Sequence, residues 1–145
     1  MKISTRGRYA LLMMLDLAEH TGEGSIALRD IAERQGVSKK YLEQIVPSLH
    51  KAELINTSRG HQGGYYLASS PDKVTIGAVL RAAEGSLSPV SCLESELNEC
   101  PNRSSCETLP IWEGLYKVIN DYLDGITLQS VIDSKAAAGA SGFGI

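Results

Sequence analysis

Apolar residues recur at three- and four-residue steps in six stretches of this chain, and between the third and fourth the rhythm changes to two short β-prone runs. Ala10, Leu11, Met14, Leu15 and Ala18 predict a helix over residues 5–20, closed by Thr21-Gly22. Ile26–Leu28 reads as a connector. A second, short helix is expected over Leu28–Gln35, stopped by Gly36. Ser38 is a natural N-cap for a third, running to Lys51 with Leu42, Ile45, Val46 and Leu49 on its apolar face. Pro47 lies inside that helix, where it removes one backbone hydrogen bond and predicts a kink. Leu54–Ser58 and Tyr65–Leu67 flank the glycine-rich run Arg59-Gly60-His61-Gln62-Gly63-Gly64, which predicts a hairpin.

After the break at Pro71-Asp72, Thr75 is placed to cap a helix over Ile76–Glu84, ended by Gly85. Residues 86–108 are polar and carry no period. Ile111, Leu115, Val118, Ile119, Tyr122 and Ile126 then repeat at helical spacing, in a long helix that begins near Pro110 and breaks at Gly125. A last helix is expected from Leu128 to about Ala137, capped by Thr127. The fold class is therefore mainly α with a small β-hairpin wing: a winged helix-turn-helix followed by a long dimerisation helix. Four segments are expected. Residues 1–84 form the DNA-binding domain, 85–108 a cysteine loop, 109–137 the dimerisation and C-terminal helices, and 138–145 a disordered tail.

The helix-turn-helix reading rests on spacing. Two helices that cross closely need a small residue inside the first, and Ala32 supplies it. The turn needs a residue that tolerates positive φ, and Gly36 follows four positions later. Leu42 and Ile45 then bury the second helix against the first. The residues left outward are Lys39, Lys40, Glu43 and Gln44. Lysines suit phosphates or guanine edges, and Gln44 can donate to and accept from adenine. Glu43 repels phosphate, so it reads cytosine or discriminates against wrong sequences. On the wing, Arg59, Gly60 and His61 let a cation and bare backbone approach a narrow minor groove.

Charge supports that polarity. The net charge is −3, yet residues 1–71 hold nine basic and seven acidic side chains against five and ten in the remainder. The basic half is the half with the helix-turn-helix, its cations clustered at Arg6–Arg8 and Lys39–Lys40. No apolar run of about 18 residues exists to span a membrane. The N-terminus lacks the apolar core of a signal peptide, so a cytoplasmic protein is expected. His20, His50 and His61 are dispersed without a nucleophile beside them, and no enzyme is expected.

All three cysteines, Cys92, Cys100 and Cys106, fall in the polar loop. Their odd number argues against a closed disulfide framework. Free cysteines prefer burial, and these lie where no core can form. Gaps of seven and five residues are too wide for a zinc knuckle and suit a two- or four-iron cluster wrapped by a loop. The fourth ligand is open, with Glu107, Glu99, Glu43, a histidine or another subunit's group as candidates. A zinc-stabilised DNA-binding protein, a cluster carrier and a thiol redox switch are the competing readings.

The run Ser4-Thr5-Arg6-Gly7-Arg8-Tyr9-Ala10, the signature Ile31–Ser38 followed by Tyr41-Leu42-Glu43-Gln44, and the wing residues Arg59-Gly60 and Gly63-Gly64-Tyr65 together resemble the IscR-like family of iron–sulfur-sensing winged-helix repressors. The resemblance covers about residues 1–135, and the three-cysteine loop marks the cluster-binding branch. It implies a homodimer built on the long helix, and control of iron–sulfur cluster biogenesis genes. It implies DNA contacts from Ser38, Lys40, Tyr41, Gln44 and Arg59, and a Glu43 that governs which sites are accepted without the cluster. It implies a 2Fe-2S cluster, with 4Fe-4S as the alternative, and exchange with cluster assembly proteins. Cluster-binding members carry a histidine three residues after the last cysteine, where this chain has Leu109. A nitric-oxide-sensing branch uses a carboxylate near the N-terminus, where this chain has Arg8. A branch regulating cysteine metabolism generally lacks the loop.

Overall fold

The computed structural model describes residues 2–140. Helix α1 (Thr5–Glu19) opens on Ser4, whose hydroxyl accepts from the Gly7 N–H at 3.3 Å. Helix α2 (Leu28–Gln35) ends at Gly36, which adopts φ +65° and so turns the chain where a side chain would be strained. Helix α3 (Lys39–Lys51) starts at Ser38, whose hydroxyl accepts from the Tyr41 N–H, and it continues through Pro47. Strands β1 (Ile55–Ser58) and β2 (Gly64–Leu67) pair antiparallel, Ile55 opposite Leu67 and Ser58 opposite Gly64. Helix α4 (Ile76–Glu84) is capped by Thr75. Apart from a short 3-10 turn at Ser91–Leu93, the cysteine loop holds only turns and bends until α5 (Leu109–Asp124). Helix α6 (Leu128–Ala140) runs three residues past its expected end, so 138–140 are helical. The rest of the expected disordered tail, 141–145, lies outside the described residues. No described helix is long and apolar enough to cross a membrane.

One core holds these elements. Met13, Met14, Leu17, Ile31, Leu42, Ile45, Leu49, Ile55, Val79 and Leu128 are all buried in it. The face of α1 is rotated from the expected one. Met13 and Leu17 are buried, whereas Leu11 and Leu15 are only half-buried. An almost uninterrupted apolar run leaves periodicity unable to choose a face.

Two strand-like joints were not expected. Ile26 exchanges backbone hydrogen bonds with Tyr65, each 2.8 Å, and so adds a short third rung to the wing. Gly64 permits this, because a Cβ there would stand 2.3 Å from the Ile26 carbonyl oxygen. Thr75 pairs likewise with Thr127, and the Leu128 N–H donates to the Val74 carbonyl at 2.9 Å. The C-terminal helix thus returns to residues 1–84 and completes their core with Leu128, rather than forming a separate unit with α5.

The core also contains a charge. Asp16 is 1% exposed, and the Arg34 guanidinium donates to both its oxygens at 3.0 and 2.7 Å while the Gln35 amide donates at 3.0 Å. Burial pushes the Asp16 carboxyl up, but the hydrogen bonds from Arg34 and Gln35, with the charges of Arg34 and His20, outweigh it and hold the group below its ordinary value. This network fixes α1 against the end of α2, at the turn that aims α3. A carboxyl depressed by folding stabilises above its unfolded value and loses that contribution as pH falls through its folded value. Asp16→Asn is therefore expected to cost about 1–3 kcal/mol at neutral pH. The gap to wild type should shrink below pH ~4, as Asp16 takes up a proton. Urea unfolding of both proteins from pH 7 to pH 3 checks it. A gap independent of pH would assign the loss to shape alone.

Candidate nucleic-acid interface and cysteine loop

Ser38, Lys39, Lys40, Glu43 and Gln44 are all exposed at the N-terminal half of α3. The turn that presents them is closed by the Val37 N–H donating to the Ala32 carbonyl at 3.0 Å, over the small residue expected at that crossing. Lys39 pairs with Glu43 at 3.7 Å, one helical turn apart. Both line a groove with Arg29, Thr57, Gly63 and Tyr65, between the helix-turn-helix and the wing. Arg29 lies on the same face and escaped the sequence reading, since nothing in a lone arginine at a helix start distinguishes it from a solvated charge.

Tyr41 is only half-buried, its ring edge-on to Tyr9 with centroids 5.2 Å apart. It braces α3 on α1 and keeps one edge in solvent. Arg59, Gly60 and His61 are exposed at the hairpin tip, and Arg59 has no ion pair among the described residues. The Ser25 hydroxyl donates to the Gln62 carbonyl at 2.9 Å, steadying the tip from below. Of the expected basic cluster near the N-terminus, Arg8 is exposed but Arg6 is half-buried and bonded within the chain.

The three cysteines are free and half-buried. Among the described residues, no group of three or more His, Cys, Asp and Glu side chains stands together as a metal site. Glu43, one expected fourth ligand, is engaged by Lys39 beside the wing. Glu107 lies beside Cys106, where its charge opposes thiolate formation. The Cys106 thiol is nonetheless held below its ordinary range, first by the Thr108 hydroxyl at 3.5 Å and then by the backbone N–H groups of Thr108 and Leu109 at the start of α5. The donor set of three soft thiols suits an iron–sulfur cluster. It is one ligand short, and within this chain the loop does not converge its thiols.

Beyond the loop, α5 exposes Ile111, Leu115, Val118 and Tyr122, between 42% and 68% accessible. Their steps of four, three and four place them on one stripe of the helix. Ile119 does not belong to it. That side chain packs on the core of its own chain with Tyr116 and Leu123.

The chain is similar to known proteins over most of its length. The family model described as Rrf2, iron-dependent transcriptional regulator, matches residues 3–134. The transcriptional regulator IscR of Aliivibrio salmonicida is 42% identical over 132 residues, covering 91% of this chain and 77% of its own. The structure of CymR, the global cysteine regulator of B. subtilis, superposes with a TM-score of 0.75 at 36% identity, over 92% of this chain and 98% of that one. The structure of T. potens IscR gives 0.71 at 38% identity, over 93% and 88%.

Proposed function

Because this chain belongs to the Rrf2 family of transcriptional regulators, we propose that it binds DNA as a homodimer and that its cysteine loop couples that binding to iron–sulfur supply. Its relatives are regulators and not enzymes. The observation that carries the reading is the exposed row Ser38, Lys39, Lys40, Glu43 and Gln44 on a capped helix, held by a left-handed Gly36 turn beside a wing whose Arg59 has no ion pair among the described residues. In this reading the start of α3 enters the major groove, Gln44 reads a base edge, and Arg59 reaches the flanking minor groove. The Lys39–Glu43 pair leaves Glu43 ready to repel phosphate wherever Lys39 turns to DNA.

Two copies meet through the stripe on α5, which sets the spacing of the two recognition helices. Cys92, Cys100 and Cys106 would hold the cluster, with Glu107 beside Cys106 as a candidate carboxylate, and a bound cluster would supply iron–sulfur redox chemistry to the loop. Genes for cluster biogenesis are the proposed targets. A second reading keeps the DNA-binding half and makes the loop a thiol sensor without a cluster. It is favoured by thiols that, among the described residues, do not converge.

Selection from a random duplex pool with the wild-type protein tests the DNA reading. Gln44→Ala is expected to relax preference at one base pair of the selected site, costing about 1–3 kcal/mol there. Arg59→Ala is expected to weaken binding and flatten the A·T preference in the flank, with the salt slope reduced by about one. Variants that bind every duplex as wild type does would remove this docking.

A further inference from the structure

Arg6 looks by sequence like a free cation for DNA, yet its guanidinium is spent inside the chain. Nε donates to the Ala83 carbonyl at 3.2 Å, and Nη2 donates to the Gln44 carbonyl at 3.2 Å and the Ser48 hydroxyl at 2.7 Å. One side chain thus joins the first turn of α1 to the last turn of α4 and to the middle of α3. One of its two α3 acceptors is the carbonyl of Gln44, the residue proposed to read a base. Beside it, the Ser4 N–H and hydroxyl both donate to Glu84 at 3.1 and 2.5 Å, so the start of α1 is anchored twice on the end of α4. Gly7 makes that approach possible, because a Cβ there would stand 2.3 Å from the Glu84 carboxylate.

Two further facts give the joint a direction. Pro47 lacks the N–H that would hold the Glu43 carbonyl, so α3 is weakest along its own axis beside Gln44. An external donor at Gln44 and Ser48 stiffens that turn. At its other end, α4 leads through Gly85 straight into the cysteine loop, and Arg81 on the same helix donates to Asp124 of α5 at 2.9 Å. The loop and α5 are thus both joined to α4, and Arg6 adds a hydrogen-bonded link from the end of α4 to the base-reading turn, beside the direct packing of α3 on α4.

We infer that Arg6 is a positioning residue for DNA recognition: it fixes the turn of α3 that carries Gln44 and ties it to the helix entering the cysteine loop. This rests on the DNA reading above. A phosphate contact and a positioning contact have different signatures. Losing the first lowers the salt slope of binding by about one and weakens all sequences alike. Losing the second leaves the slope unchanged and erodes discrimination.

The test uses the full chain, the duplex selected by the wild type, and a scrambled duplex of the same composition. Arg6→Met is expected to reduce the ratio of the two affinities roughly tenfold with an unchanged salt slope. Arg6→Lys reaches fewer of the three acceptors and should fall between. Ser48→Ala removes the shortest of the bonds from the opposite side and should shift the ratio in the same direction, which keeps the idea testable if Arg6→Met does not fold. A salt slope lower by one in Arg6→Met overturns the inference, since Arg6 would then touch phosphate. Discrimination unchanged in Arg6→Lys and Ser48→Ala also overturns it, while the DNA reading stands. A wild type that enriches no sequence removes both together.

Discussion

Leu115→Asp is expected to sediment as a monomer at micromolar concentration where the wild type sediments as a dimer, with its helical circular dichroism intact. The stripe Ile111, Leu115, Val118 and Tyr122 is the one large apolar surface that α5 leaves uncovered within its own chain. Its spacing matches the seam of a two-helix coil. Placing a carboxylate in the middle of such a seam strands a charge in an apolar interface. The penalty is about 3 kcal/mol or more per site, which weakens association at least ~100-fold. Folding is expected to survive because Leu115 is already 42% exposed in the single chain. Ile119→Asp is the internal contrast. Its side chain packs on the core, so that variant should unfold rather than dissociate. A Leu115→Asp protein that remains a dimer of normal stability would remove the α5 interface. The DNA consequence follows, because a monomer presents one recognition helix and loses the fixed half-site spacing of a pair.

The elements that sequence placed well are those fixed by nearby chemistry. Ser38 and Thr75 cap the helices they were expected to cap, Gly36 and Gly85 end the ones they were expected to end, and the glycine run gave the hairpin. What escaped depends on partners distant in sequence. The buried face of α1 was misjudged because Leu11–Leu15 is apolar on every side. Nothing beside Asp16 in the sequence marks it as buried, and Arg34 and Gln35, eighteen and nineteen residues on, make it an anchor. Ile26 read as connector until Tyr65 paired with it. Ile119 reads as part of the dimer stripe and Leu128 as the start of a last helix, although both pack on the core of residues 1–84. Arg6 shows the same limit at the site itself: composition gave the charge, and only the fold shows where it is spent. For the cysteine loop, residue type named the chemistry. A loop without period gives no geometry, so nothing in the sequence said whether the thiols converge.

Cys92→Ala, Cys100→Ala and Cys106→Ala are each expected to bleach the anaerobically purified protein, which in the wild type should be brown with visible absorption. The chain has three cysteine thiols, and losing any one leaves two. None of the three lies in the core, so each variant should melt within about 0.5 kcal/mol of the wild type freed of its cluster. Glu107→Ala is expected to change the spectrum, since that carboxylate lies beside Cys106. Glu43→Ala is expected to leave the spectrum alone and change DNA selection instead, since Glu43 faces Lys39 and the wing. A shifted spectrum in Glu43→Ala would mean that the recognition helix and the loop meet in the dimer. Chelation should then alter affinity for one class of selected duplexes while leaving the fold intact, because a ligand moves an equilibrium only as far as it distinguishes two states. Zinc in the loop would leave the protein colourless but loaded with metal. A wild type that is colourless and metal-free when prepared without oxygen would remove the cluster. If its thiols then pair on mild oxidation and DNA binding changes with them, the loop is a thiol sensor of the second kind.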